Sequence, residues 1–192
     1  MSRPREFNPD DALERAMITF WAKGYHDTSM RDLIDATGVN QYGLYSAFGS
    51  KRGLFFEALR HYQRTIISDA VSTMKRAADP IHGIRDGFAR LATLLRGDKA
   101  LGCMMCNTAI ELAPYDAEAA AIVQKSRAQL QAAFQARLDE AHANGAISYE
   151  TGTAVTAAYL ATTAFSIGMM VRLGCSDDDV AAYLETALSI LR

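Results

Sequence analysis

Helix start signals recur along the whole chain, and they constrain its fold more than any other feature. Residues with capping side chains stand just before successive runs whose apolar residues are spaced three and four apart. The first four of these caps are Asn8, Ser29, Asn40 and Ser50. No segment alternates apolar and polar residues over the length of a strand, and only four prolines occur. The pattern predicts an all-α fold of about nine helices.

The caps, together with glycines and prolines, set the predicted bounds of these helices. Ser29 with Asp32, and Ser176 with Asp179, form capping-box pairs, in which each side chain satisfies a free backbone N–H of the other residue. The predicted helices cover about 9–23, 30–37, 41–48, 51–77, 80–97, 101–113, 117–143, 150–174 and 177–191.

The composition fits a globular protein and excludes few functions. Apolar residues make up 49% of the chain and charged residues 22%, and the net charge of −2 does not by itself indicate a nucleic-acid partner. No apolar run approaches the ~20 residues that a membrane span requires, and the N-terminus lacks the hydrophobic stretch of a secretion signal. We therefore expect a cytoplasmic protein without a membrane partner. Arg3 and Arg5 form either a minor-groove arm or a solvated tail.

The segment VNQYGLYSAFGSKRGL, residues 39–54, is unusually rich in aromatic and polar groups for a short helix. It follows the second predicted helix after a turn at Gly38-Val39, and two helices joined by a short glycine-containing turn form a helix–turn–helix, here at about 29–48. In that motif the first residues of the second helix reach base edges in the major groove. We predict that Gln41 hydrogen-bonds to a base edge and that Tyr42 packs on a thymine methyl group.

Further DNA contacts are predicted around the same helix. Asn40 caps it, and the absent side chain of Gly43 would let the backbone approach DNA closely, in return for a helix-stability loss on the order of 1 kcal/mol. Lys51 and Thr28 each stand at the start of a helix, where the dipole and free N–H groups favour a phosphate. The hydroxyl of Tyr45 is also within reach of a phosphate.

The stretch ALERAMITFWAKGYHDTSMRDLIDATGVNQYGLYSAFGSKRGLFFEAL, about a quarter of the chain, resembles the DNA-binding region of the tetracycline-repressor-like (TetR) family of bacterial transcriptional regulators. The positions that match the family pattern in register are Phe20, Gly24-Tyr25, Thr28, Gly38-Val39, Leu44-Tyr45, Phe48 and Ser50-Lys51. Two departures are small: Leu33-Ile34-Asp35 replaces a commoner Ile-Ala, and Asn40 stands where Ser is usual.

The resemblance implies two domains and a set of partners. A DNA-binding helix–turn–helix domain would cover 1–50, and a larger helical ligand-binding and dimerisation domain would cover 51–192. The expected partners are a double-stranded operator, a second copy held through the last two helices, and a small-molecule effector. Small residues of the eighth helix favour close packing, either between subunits or within one; these are Ala157, Ala158, Ala161, Ala164 and Gly168.

The segment LGCMMCNTAIELAP places Cys103 and Cys106 one turn apart on a predicted helix. A thiol at a helix N-terminus has its thiolate favoured, so one interpretation is a redox or electrophile sensor. The other is that both cysteines are buried and pack as small apolar residues. A single C-x-x-C lacks the second ligand pair of a zinc site, so we expect no metal. We also expect no cofactor.

The sequence-based hypothesis is a non-enzymatic, homodimeric DNA-binding regulator, a repressor that leaves a pseudo-palindromic operator when a small molecule or an oxidant acts on it. The alternative is a small helical thiol–disulfide oxidoreductase that uses Cys103 and Cys106. The candidate effector-pocket residues, which are equally well interpreted as core, are Tyr62, Cys103, Met104, Cys106, Asn107, Glu111 and Tyr159.

Overall fold

The computed structural model describes residues 7–97, 99–148 and 152–191, and these residues form helices and connecting turns without a β-strand. The helices are α1 (Pro9–Lys23), α2 (Met30–Thr37), α3 (Gln41–Phe48), α4 (Lys51–Tyr62), α5 (Ser68–Arg76), α6 (Pro80–Arg96), α7 (Met104–Glu111), α8 (Ala117–Ala143), α9 (Thr153–Arg172) and α10 (Asp177–Ala187). A 3₁₀ turn, Leu188–Leu191, follows α10. Arg3 and Arg5 lie outside the described residues.

A π-helical turn, Gln63–Ile67, joins α4 to α5 in one continuous helix. This is the long helix predicted over 51–77, so the described residues contain the nine helices expected, and the all-α prediction is confirmed. Three hydrogen bonds surround the turn. Gln63 Nε2 donates to Gln129 Oε1 of α8 at 3.0 Å, Gln129 Nε2 donates to Ser68 Oγ at 3.1 Å, and Ser68 Oγ donates to the Gln63 carbonyl at 3.1 Å.

The predicted caps form, and they explain why the short N-terminal helices begin where they do. Asn8 accepts a hydrogen bond from the Asp10 N–H at 3.0 Å, and Ser50 accepts one from the Gly53 N–H at 3.0 Å. The Ser29 capping box with Asp32 is complete. Each cap satisfies backbone donors that the first helical turn would otherwise leave free.

The DNA-binding head, defined here as α1 to α3, has a small core of its own that continues into α4. Phe20 of α1, Leu33 of α2 and Leu44 of α3 are buried. Phe55 of α4 closes this core, with its ring 5.1 Å from that of Phe20 in an edge-to-face arrangement. The remaining helices form the body, in which α5 packs on α6, α8 packs on α9, and Phe88 stacks on Phe134.

Helix α7 is shorter than predicted. It begins at Met104 rather than near 101, because Gly102 has φ +73° and Cys103 is extended (φ −103°, ψ 116°). Cys103 is therefore the residue before the helix, and only Cys106 lies on it. The start predicted for the next-to-last helix, near 150, falls on residues outside the described part of the chain; α9 begins at Thr153.

Helix α9 corrects the expectation that no apolar run reaches membrane-spanning length. Among the described residues it is the one helix long and apolar enough to cross a membrane, with 20 residues and a mean hydropathy of 1.5. Half of that stretch is buried within the protein, as α9 packs on α6 and α8. Buried helices of soluble proteins have the same length and composition.

Candidate DNA-binding surface

The turn between α2 and α3 is three residues long and depends on Gly38. This glycine is left-handed (φ 71°, ψ 9°), and its N–H donates to the Ile34 carbonyl at 2.9 Å, which ends α2. Val39 then buries its side chain, and Asn40 caps α3 by accepting a hydrogen bond from the Gly43 N–H at 2.8 Å. The predicted helix–turn–helix is present.

The first turn of α3 presents side chains that the protein does not use for its own packing. Gln41 is exposed and Tyr42 is 84% exposed. Within the described residues, neither side chain makes a hydrogen bond or a ring contact. Leu44, which lies on the side of the helix opposite Tyr42, is buried, and Tyr45 is half-buried. The helix thus has one face in the core and one face available to a partner.

Gly43 has an internal role that the sequence did not reveal. A Cβ at this position would lie 2.8 Å from Val39 Cγ1 and 3.3 Å from Phe7 Cε1. The missing side chain therefore makes room for Val39 and Phe7, whatever the approach to DNA requires. The side-chain oxygen of Asn40 likewise accepts the cap hydrogen bond, so its amide nitrogen is the donor left for a partner.

The prediction that Thr28 contacts a phosphate is wrong for this structure. Its side chain is completely buried, and its hydroxyl donates to the Gly24 carbonyl at 2.5 Å. The Thr28 hydroxyl therefore stabilises the turn between α1 and α2 and is not exposed on the surface.

Lys51 is the first residue of α4, and its ammonium group lies 4.5 Å from the centre of the Tyr25 ring. A cation–π contact of this kind orients the side chain without neutralising it. The neighbouring Arg52 faces the body instead, where it pairs with Asp116 at 2.9 Å and Glu118 at 3.0 Å. The hydrogen bond to Asp116 raises the pKa of Arg52. Within the described residues Lys51 has no ion pair, so it is the cation available to a phosphate beside α3.

Comparison with known proteins places this geometry in a family. The sequence model of the bacterial regulatory proteins of the tetR family matches residues 12–58. The chain is 30% identical over 193 residues, across the full length of both chains, to the uncharacterized HTH-type transcriptional regulator YezE of Bacillus subtilis. The chain belongs to the tetR family.

Two further relatives agree with this assignment. The HTH-type transcriptional repressor ComR of Escherichia coli is 28% identical over 190 residues, covering 98% of this chain and 90% of ComR. A solved structure of a cysteine mutant of the TetR family regulator CifR, complexed with 26-bp operator DNA, is 28% identical with a TM-score of 0.88 and covers 98% of each chain. This tetR-family chain is a DNA-binding transcriptional regulator.

The surroundings of the two C-x-x-C thiols of this tetR-family member distinguish between the two interpretations of them. Cys103 is buried, and the Tyr62 hydroxyl donates to its Sγ at 3.7 Å; burial raises the pKa of the Cys103 thiol. Cys106 is half-buried, and its pKa is also raised by burial. Burial therefore favours the protonated thiol at both positions, which contradicts the sensor interpretation and agrees with the alternative, in which the cysteines pack as small apolar residues.

The seven predicted effector residues do not form one cluster. Tyr62, Cys103 and Met104 are buried together in the core. Tyr159 is 43% exposed on the outer face of α9. Glu111 accepts hydrogen bonds from the Tyr25 N–H at 3.0 Å and the His26 N–H at 2.7 Å. The pocket prediction is wrong for Tyr159 and Glu111, because one faces outward and the other holds the head.

None of the seven residues lines either of two cavities that the described residues form, one within the body and one between the head and the body. One, of about 600 Å³, lies between α6 and α10, with Ala92, Arg96, Val180 and Leu184 on its walls. The other, of about 220 Å³, lies between α1 and the end of α6, with Ile18, Trp21, Leu95 and Leu101 on its walls.

Sequence reasoning missed the contacts that fasten the head to the body. Besides Glu111, Trp21 Nε1 donates to the Gly102 carbonyl at 2.9 Å, and His61 of α4 contacts Glu14 of α1 at 2.6 Å. The Trp21 and Glu111 partners are more than 80 residues apart in sequence. No local sequence pattern predicts such pairs, since each depends on the packing of the whole chain.

Proposed function

We propose that this regulator is a homodimeric repressor that binds a pseudo-palindromic operator and leaves it when a small effector binds. The DNA-binding domain would comprise 1–50 and the effector and dimerisation domain 51–192, acting in the bacterial cytoplasm. ComR is named as a repressor, and the CifR mutant is bound to operator DNA. These relatives support the repressor assignment.

The observation that carries the proposal is the 84% exposure of Tyr42 at the start of α3, directly beside the exposed Gln41. An aromatic ring this exposed on the reading helix is suited to a thymine methyl group, and Gln41 is suited to an adenine edge. Lys51 and the hydroxyl of Tyr45 would bind the flanking phosphates. Asn40 would add its amide nitrogen, and the Gly43 backbone would lie close to the groove.

The homodimer is supported by the outer face of α9. Val155, Tyr159, Met169 and Leu173 are 61%, 43%, 52% and 75% exposed. At about 100° per residue these four side chains lie within an arc of roughly 80°, and the polar residues Thr162 and Ser166 lie in the same arc between the two apolar pairs. Exposed apolar groups with polar neighbours mark interaction sites on protein surfaces. A two-fold pair would place two reading heads on two half-sites.

The small residues of α9 have a different role from the intersubunit packing considered from the sequence. Ala157, Ala161 and Ala164 are buried within the subunit, and a Cβ on Gly168 would lie 2.3 Å from Cys103 Cβ. They therefore allow α9 to approach its own chain. The proposed dimer interface uses the large exposed side chains instead.

The effector proposal rests on Asn107 of α7, whose Nδ2 is buried without a hydrogen-bond partner in the described part of the chain. Neither of the two cavities reaches Asn107, so binding there would require α7 to shift. Since an unpaired buried donor is costly, a ligand with an acceptor oxygen would be stabilised there. A compound that releases wild-type protein and the Asn107→Leu variant from DNA equally well would contradict this. The raised thiol pKa values and the burial of Cys103 favour neither a redox effector nor the oxidoreductase alternative.

The test measures binding, by fluorescence anisotropy, to the duplex that wild-type protein selects from a randomised pool. Lys51→Ala is expected to weaken binding to all duplexes and to reduce the salt slope by about 1. Tyr42→Ala is expected to relax sequence preference at a thymine position, at a loss of about 1–3 kcal/mol for the preferred duplex.

The matched control is Lys125→Ala on α8, since Lys125 is exposed and belongs to the body. The control should not change affinity. Equal effects of the test and control substitutions, or wild-type binding that ignores sequence and salt, would refute the proposed reading surface.

A further inference from the structure

Arg172, the last residue of α9, reaches across to the DNA-binding head. Its Nη1 donates to the Trp21 carbonyl at 3.3 Å and to the Leu101 carbonyl at 3.1 Å, and its Nη2 donates to the Ala22 carbonyl at 3.2 Å. Trp21 and Ala22 belong to the last turn of α1, where carbonyls lack partners within the helix and the dipole favours a cation. The side chain therefore caps α1 from the far end of the chain.

The loop before α7 is held between the same two helices. Gly102 accepts the hydrogen bond from the buried indole of Trp21, and a Cβ on Gly102 would lie 2.5 Å from the Gly168 carbonyl and 2.8 Å from Arg172 Cβ. Trp21 also packs edge-to-face on Tyr62, with ring centres 4.9 Å apart. The loop at Gly102 is therefore in direct contact with α9 on one side and bonded to α1 on the other.

We propose that Arg172 is a positioning residue for operator binding: it fixes the orientation of the reading head relative to the dimerisation helix. The proposal rests on the homodimer argued above. In that dimer the two α9 helices would contact each other at the interface. Among the described residues Arg172 is the side chain of α9 that hydrogen-bonds to α1. Loss of Arg172 would leave each head folded but would fix its orientation relative to the head of the other subunit less firmly.

The other head attachments come from different elements. Glu111 binds the Tyr25 and His26 N–H groups from α7, and His61 binds Glu14 from α4. They keep the head on the body when Arg172 is replaced, so the Arg172→Met variant is expected to remain folded. In this variant α1 is expected to change its angle relative to the end of α9 more freely.

This role predicts a difference between one half-site and two. A head that is folded but loosely oriented binds a single half-site normally, whereas simultaneous binding of two half-sites needs the correct separation. The probes are the pool-selected duplex and a copy with one arm scrambled. Spacer variants lengthened or shortened by one and two base pairs complete the set.

We expect Arg172→Met to weaken binding to the two-armed duplex about tenfold, a part of the ~10²–10⁴ that linked binding can gain. Affinity for the one-armed duplex should stay unchanged, and tolerance of altered spacers should rise. Arg172→Lys, which keeps a donor and the charge, should recover part of the loss. Arg127→Met on α8 is the matched control, because Arg127 is exposed and has no hydrogen bond or ion pair within residues 7–97, 99–148 and 152–191.

Each outcome separates the alternatives. A loss of equal size on one and two arms would show that Arg172 only stabilises the head, and unchanged two-armed binding with unchanged spacer preference would show that the head is positioned without it; both overturn the proposal. Sedimentation measures the oligomeric state of each variant. A monomeric wild-type protein would overturn the proposed dimer itself, independently of what Arg172 does.

Discussion

Replacing Gly43 with alanine should destabilise the protein, although alanine is the better helix former. The new Cβ would lie 2.8 Å from Val39 Cγ1 and 3.3 Å from Phe7 Cε1, and the first distance is well below the ~3.5–4.0 Å of a favourable carbon–carbon contact. Overpacking of this kind costs about 1–3 kcal/mol, whereas the gain in helix propensity is about 1 kcal/mol. The expected net loss in free energy of unfolding is about 1 kcal/mol.

Urea unfolding of Gly43→Ala, compared with wild type at equal m-value, measures this loss. Ser46→Ala on the same helix is the control, since Ser46 is exposed and the substitution adds no atoms. In a Val39→Ala background the Cγ1 methyl is absent, and the cost of Gly43→Ala should shrink or change sign. If Gly43→Ala instead stabilised the wild-type background by about 1 kcal/mol while weakening DNA binding, the glycine would serve the groove and the packing argument would be wrong.

Two further predictions concern titrating groups. Hydrogen bonds from Lys23 and Ser29 lower the pKa of Asp32. The stabilising contribution of Asp32 is therefore complete above the unfolded-state pKa of about 3.9, and it disappears as the pH falls toward the lower folded-state value. The difference in urea midpoint between wild type and Asp32→Asn should be present at pH 7 and should shrink at about pH 3; a constant difference would contradict this. Burial raises the pKa of both Cys103 and Cys106. At neutral pH iodoacetamide should therefore label native Cys106 more slowly than an unfolded cysteine, and it should leave Cys103 unlabelled. Rapid labelling of Cys103, detected by mass spectrometry, would contradict its burial.

The helical framework was predictable because its signals are local. The Ser29 capping box, the Asn40 cap and the turn at Gly38 each act within a few residues, and each forms as predicted. The exposed start of α3 follows from the same local pattern, since Leu44 fixes which face is buried.

The remaining features depend on distant parts of the chain and could not be predicted. The carboxylate of Glu111 finds its partners at Tyr25 and His26 only after α7 has packed against the head. Periodicity identified the small residues of α9 but not the neighbour they face, which is why Gly168 proved to adjoin Cys103 of its own subunit. The burial of Thr28 likewise follows from the closure of α1 on α2.

The π turn between α4 and α5 has a consequence for how members of such a family diverge. A π turn is an α-helix that contains one additional residue, and each residue of an α-helix turns the chain by about 100°. Because the π turn holds that residue within one turn, deletion of a single residue within Gln63–Ile67 would restore a regular helix and leave Lys51 at nearly the same angle about the helix axis. The same deletion in the regular part of α4 would rotate Lys51 by about 100°. The π turn is therefore the place where this long helix can gain or lose a residue without turning the reading surface.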